Sequence, residues 1–199
     1  MHDTTRLLSA PGGVKVKVKG NIVKARQAFV IDRFGEQGWA RVLEAIPDED
    51  RRVFGGMIVN VAWFDFAQAT RLDEAIVKVL GGGNTGLFEE MGRASARENL
   101  TGVHSNLVAS GDPQAFMKKA NLIYRFYYDV GHRTYEATGP AEGTLTTHDA
   151  ETFSAADCAT VIGWYAEALA MCGAMNVRVD ETRCRARGDD VCEYTVRWS

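Results

Sequence analysis

The residues best suited to chemistry in this chain lie close to its end, in Glu181-Thr182-Arg183-Cys184-Arg185-Ala186-Arg187-Gly188-Asp189-Asp190-Val191-Cys192. Two thiols bracket a turn-forming run, so their sulfurs can converge if the flanking residues pair as a hairpin. Glu181 stands three residues before Cys184. Strict strand alternation would set the two on opposite faces, so the strand must bend or bulge if both are to hold one ion. Cys158, near the start of the preceding helical pattern, offers a fourth donor. Thiolate and carboxylate ligands in this number suit a tetrahedral Zn²⁺. The spacing alone fits equally well two cysteines in a hairpin core or a disulfide across it. Four protein ligands would leave no open position for an activated water, so such a zinc would be structural. Cys172, outside the grouping, reads as a small core residue.

A second grouping is aromatic. Tyr124-Arg125-Phe126-Tyr127-Tyr128 closes a helical pattern, and with Phe88, Phe116, Trp164 and Tyr165 it can line an apolar pocket between helices and sheet. The same aromatics at helical spacing can simply be core. His104 follows Leu100 and Val103 and precedes Leu107, which makes it a core histidine, a pocket-lining group or, least of all, a heme ligand. G-x-S-x-G, Walker A and H-E-x-x-H motifs are all absent, and no catalytic residue is expected. Arg93, Arg97 and Glu98 read as a solvated helix face.

These groups need elements to position them. Helical spacing predicts helices over 21–34 and 37–46, parted at Gly35, and a short helix after Pro47 with Asp48 as its cap. Residues 57–65 form an apolar run that periodicity assigns neither to strand nor to helix. Further helices are expected over 66–80, closed by Gly81-Gly82-Gly83, then over 85–108 and 113–129. After Gly131 the pattern changes to a hairpin (132–138 and 142–148), a Ser154-capped helix (155–173), and strands Met175–Cys184 and Val191–Trp198. Val14–Lys19 alternates valine and lysine, as a half-buried edge strand does. This order describes an α+β domain with N-terminal helices packed on a C-terminal antiparallel sheet. Residues 1–13 are expected to be a flexible N-terminus and 14–199 a single domain.

Of 199 residues, 26 are acidic and 23 basic, giving a net charge of −3. That balance disfavours nucleic acid as the partner, because phosphate neutralisation needs a basic face. No stretch is long and apolar enough to span a membrane, and the N-terminus carries no signal pattern, so a cytoplasmic protein is expected. In a reducing compartment, clustered cysteines hold metal or fill cores rather than form disulfides.

Cys158, then Glu181-x2-Cys184-x3-Gly188-x3-Cys192-x-Tyr194, resembles the 4-vinyl reductase domain, the effector sensor of phenol-responsive transcriptional activators. The resemblance implies that Cys158, Glu181, Cys184 and Cys192 ligate zinc. The segment IVKARQAFVIDRFGEQGWARVLEAIP is similar to the opening helices of heme–nitric oxide/oxygen-binding domains, which share a superfamily fold with TRAPP vesicle-tethering subunits. Together the likenesses span about residues 20–198. The chain lacks the Tyr-x-Ser-x-Arg motif for heme propionates, so heme is not expected, and it lacks the pocket Trp/His pair of phenol sensors.

The resulting expectation is a non-enzymatic sensory or regulatory protein with structural Zn²⁺. It would bind a small apolar or aromatic ligand against Phe88, His104, Phe116, Tyr124, Tyr127, Tyr128 and Trp164, and act as a homodimer or on a regulatory partner. The alternatives are a dimerisation or interaction scaffold of the same fold, and more remotely a tetrapyrrole-related reductase or heme-based gas sensor.

Overall fold

The computed structural model describes residues 15–102 and 104–199, so the expected flexible segment 1–13, and Val14 and Val103, lie outside the described residues. Strand β1 (Lys17–Lys19) pairs antiparallel with β2 (Trp63–Asp65) in a small ribbon, Val18 opposite Phe64. Val18 is buried while Lys17 faces out, the pattern of a lysine-protected edge. Helix α1 (Gly20–Ala45) follows at once and breaks at Gly35, whose φ of 73° and ψ of 175° lie outside the helical region. The two halves are the helices that the spacing predicts.

Pro47 precedes α2 (Asp48–Phe54), so Asp48 opens the helix rather than capping it. With Glu49 and Asp50 it puts acid at the positive end of the helix dipole. The apolar run 57–65 becomes strand only at its end. Much of the rest lies at the surface, with Met57 and Val61 89% and 74% exposed, and among the described residues it pairs with β1 alone, which is three residues long.

Asp65 caps α3 (Phe66–Leu80) by accepting the Ala67 N–H at 2.9 Å. Helix α4 (Gly86–Thr101) ends earlier than the spacing predicts, since Gly102 leaves helical geometry, and a 3₁₀ turn at Ser105–Leu107 follows. The expected helix 113–129 is two, α5 (Pro113–Met117) and α6 (Ala120–Tyr127). Lys119 breaks it by donating its N–H to Phe116 in a tighter i→i+3 bond of 2.9 Å, with its ammonium on the Leu107 carbonyl.

Strands β3 (His132–Gly139) and β4 (Glu142–His148) form the first hairpin; α7 (Ala155–Met171) is capped by Ser154, which accepts the Asp157 N–H at 3.0 Å. Strands β5 (Arg178–Arg183) and β6 (Cys192–Arg197) complete an antiparallel sheet in the order β3-β4-β6-β5. Leu145 and Glu181 both face Tyr194 in register, and one buried cluster runs from Val18 to Val196. This is the α+β architecture of N-terminal helices on a C-terminal antiparallel sheet. At its centre α4 and α7 touch backbone to backbone. A Cβ on Gly92 would sit 2.1 Å from the Thr160 carbonyl oxygen, and one on Gly163 1.9 Å from that of Glu89.

Candidate metal centre and aromatic cavity

Helix α7 and strand β6 bring Cys158 and Cys192 together, and the turn after β5 adds Cys184. The three sulfurs all lie within 4.8 Å of one another, Cys158 at 3.6 Å from Cys192 and 3.5 Å from Cys184. No disulfide joins them and all three side chains are buried. Zn–S bonds of about 2.3 Å in a tetrahedron place sulfurs about 3.8 Å apart, so the triad fits Zn²⁺ with little movement. The cysteines alone thus form a buried centre able to coordinate a structural zinc-type ion.

Strand pairing shifts register between Glu181 and Arg183, the bulge that the Glu181/Cys184 spacing requires if both are to face one ion. Glu181 stays beside the triad without joining it. Its Oε2 accepts from Arg187 at 2.6 Å, while its Oε1 is buried with no hydrogen-bond partner among the described residues. A buried acceptor without a donor is costly, and a cation would satisfy it.

The turn between β5 and β6 is built for this centre. Gly188 takes a φ of 102°, letting the Arg185 N–H donate to the Cys192 sulfur at 3.4 Å and Asp189 accept the Cys184 N–H at 2.7 Å. Arg185 also reaches the Ala150 carbonyl and lies over the Phe153 ring, tying the turn to the approach to α7. A hydrogen bond from Cys158 holds the Cys192 thiol down to about 7, and the same bond, with burial, pushes Cys158 up.

One turn further along α7, Thr160, Val161, Trp164 and Tyr165 line a small, partly open cavity with Ile22, Arg26, Gly92, Ser95, Ile123, Tyr124, Tyr127, Tyr128 and Arg133. Its volume is about 40 Å³. Of the aromatics singled out in the sequence, Tyr124, Tyr127, Tyr128 and Trp164 stand in this wall. Phe116 lies behind Trp164, ring centroids 6.2 Å apart, and Phe88 is buried elsewhere in the core. His104 is half-buried outside the lining, stacked on Phe126 at 4.7 Å and edge-on to Tyr127 at 5.8 Å.

The wall is more polar than its aromatic content suggests. Tyr128 donates to Asp157 at 2.9 Å and Tyr124 to the Val130 carbonyl at 2.7 Å, whereas the hydroxyls of Tyr127 and Tyr165 are buried without a partner. Burial pushes Tyr127 well above the usual phenol range and lifts Asp157 to about 6. Arg26 is paired with Asp73 at 3.0 Å. Arg133, 6% exposed, was not foreseen in the sequence, because an arginine in a polar, Thr-rich strand carries no sign that it points inward.

A family model described as "Protein of unknown function (DUF2378)" matches residues 87–199, more than half of the chain. The chain belongs to this family. The match takes in α4 through β6, so the sulfur triad and nearly all of the cavity wall lie within the DUF2378 region. No curated protein matches the chain significantly. Among solved structures, the chain is similar to an H-NOX protein from S. oneidensis in the Fe(II)NO ligation state, at 15% identity over 91% of this chain and 99% of that one, with a TM-score of 0.71. It is similar also to the Fe(II) unliganded H-NOX protein from K. algicida, at 11% identity over 91% and 96%, TM-score 0.68. At such identities the likeness is one of fold, that of the heme–nitric oxide/oxygen-binding group. It does not reach the narrower 4-vinyl reductase family.

The fold raises the question of heme, and the residues of this DUF2378 chain do not fit one. Small-molecule sites typically measure about 300–1,000 Å³, and this cavity measures about 40 Å³. His104 packs against two aromatic rings and does not line it.

Proposed function

We propose that this protein is a non-catalytic regulatory interaction module, folded as a single domain, in which Zn²⁺ on Cys158, Cys184, Cys192 and Glu181 clips the C-terminal hairpin to α7. The observation that carries the interaction reading is the filled interior. With about 40 Å³ of free volume among the aromatics, an apolar or aromatic effector has no preformed seat, which leaves surfaces as the working parts. The zinc reading is supported by sulfur spacing and by the unpartnered Glu181 oxygen. Zinc would neutralise part of the charge of three thiolates and a carboxylate, and Arg187 would hold Glu181 in place. It would order the hairpin and perform no reaction.

The surface we favour is the row Met57, Val59, Val61 and Trp63, an exposed apolar stretch beside β2, with a second copy of the chain as occupant. Light scattering on the purified protein tests it. A dimer that becomes monomeric on Val61→Asp is expected, and a wild-type monomer at high concentration would refute the dimer. Elemental analysis tests the clip. About one zinc per chain is expected, falling sharply in Cys192→Ser with loss of thermal stability. A carefully prepared wild type with less than about 0.3 zinc per chain would remove zinc from the reading.

A second reading, sensing of a small molecule in the manner of 4-vinyl reductase domains, is favoured by one observation: two unpartnered tyrosine hydroxyls face the same cavity wall. An aromatic ligand would require that wall to open.

A further inference from the structure

We infer that the cavity between α1, α4, α6, α7 and β3 is a binding site for a small planar oxyanion, a short carboxylate or a species of the same shape and single negative charge. Three observations carry this. The first is charge. Arg133 is nine-tenths buried and lines the cavity; its Nε donates to Thr147 Oγ1 at 2.8 Å, and the Tyr165 hydroxyl lies close to the guanidinium without forming a well-aligned hydrogen bond. No described carboxylate comes within ion-pair distance of this guanidinium, whereas Arg26, in the same wall, has Asp73 at 3.0 Å. An arginine cannot escape burial by losing its proton, and a buried charge without a counter-charge is costly.

The second is donors. The hydroxyls of Tyr127 and Tyr165 are buried without partners, and Ser95 and Thr160 stand in the same wall. Arg133 lies over the Tyr124 and Tyr165 rings at 5.0 and 5.6 Å, which limits the freedom of the guanidinium. A planar fork of N–H donors beside two phenol donors is complementary to a flat anion bearing two or three oxygens. Every unsatisfied group named here can donate.

The third is size. A water needs about 10–15 Å³ of such space, so about 40 Å³ admits roughly three waters or one anion of three or four heavy atoms, and excludes an aromatic acid. Waters would satisfy the hydroxyls but bring no charge to a guanidinium whose nearest acidic influence, Asp157, acts only from beyond ion-pair distance. The site is independent of the zinc reading and of dimerisation, and either can fail without affecting it.

The test is titration of the full-length protein with acetate, formate and nitrate at constant ionic strength in chloride, followed by calorimetry and by NMR of ¹³C-acetate, with neutral acetamide as control. Saturable binding of at least one anion and none of acetamide is expected. The variant Tyr127→Phe removes a buried hydroxyl that has no partner among the described residues, so it should fold normally and bind at least about fivefold more weakly. Arg133→Met should abolish binding if it folds. Absence of saturable binding by all three anions into the tens of millimolar would overturn the inference. So would unchanged affinity in Tyr127→Phe, or a high-resolution structure grown in acetate with only water in the cavity.

Discussion

Gly163→Ala tests the crossing of α4 and α7, on which both candidate sites depend. In an isolated helix this change would stabilise by about 1 kcal/mol, because alanine is the better helix former. Here the new methyl would lie 1.9 Å from the Glu89 carbonyl oxygen and 2.7 Å from its carbon, against the 3.4 Å or more of ordinary contact. Both atoms are backbone, so no rotamer change relieves the overlap and α4 must move away by roughly 1.5 Å. Overpacking of this kind costs about 1–3 kcal/mol and at times more, and a backbone clash belongs at the upper end. Net of the propensity gain, a loss of about 2 kcal/mol is expected, or roughly 4–8 °C in melting temperature for a chain of this length. Thermal and urea denaturation followed by circular dichroism measure it. Gly82→Ala, where the φ is 60° and nothing lies within 4 Å, separates backbone strain from steric overlap. A Gly163→Ala variant as stable as the wild type would refute the close crossing, and with it the cavity wall that Gly92 completes.

Arg26→Met should cost about 3–5 kcal/mol, because it leaves Asp73 buried without its counter-charge. Burial already raises Asp73, so the variant can protonate it, and the deficit measured in urea should shrink as pH falls. Asp50 behaves in the opposite way. Burial alone would raise it, but hydrogen bonds from Arg71 and Gln68 outweigh this and hold its carboxyl below the usual range. Its contribution is therefore full above the ordinary carboxylate value of 3.8 and lost as pH falls through the lower folded value. Asp50→Asn should cost about 1–2 kcal/mol at neutral pH and flatten the acid limb of a stability–pH curve; an unchanged acid limb would count against the α2–α3 tie.

The sequence by itself determined most of the elements and the cysteine cluster able to hold a metal. Gly35 parts α1 where a helical pattern meets a residue free to adopt positive φ, Ser154 marks the start of α7, and the Thr-rich alternation after Gly131 marks the sheet. Cys158, Cys184 and Cys192 were legible because thiols are few and their spacing brackets a turn. Even the bulge between Glu181 and Arg183 follows from the side-chain period of a strand. Tertiary structure alone decided the interior. Aromatics at helical spacing are compatible with a cavity or a packed core, and the difference is set by how closely α4 approaches α7 through Gly92 and Gly163, which belong to separate helices. That approach shrinks the pocket to about 40 Å³ and leaves Phe88, Phe116 and His104 off its wall. Local signals also overstated the helices at 85–108 and 113–129, where non-helical geometry at Gly102 and an i→i+3 bond at Lys119 intervene. Arg133 was invisible for the same reason as the cavity. Whether a strand residue faces water or a gap between helices depends on what packs over the sheet, and that is a property of distant segments brought together by folding.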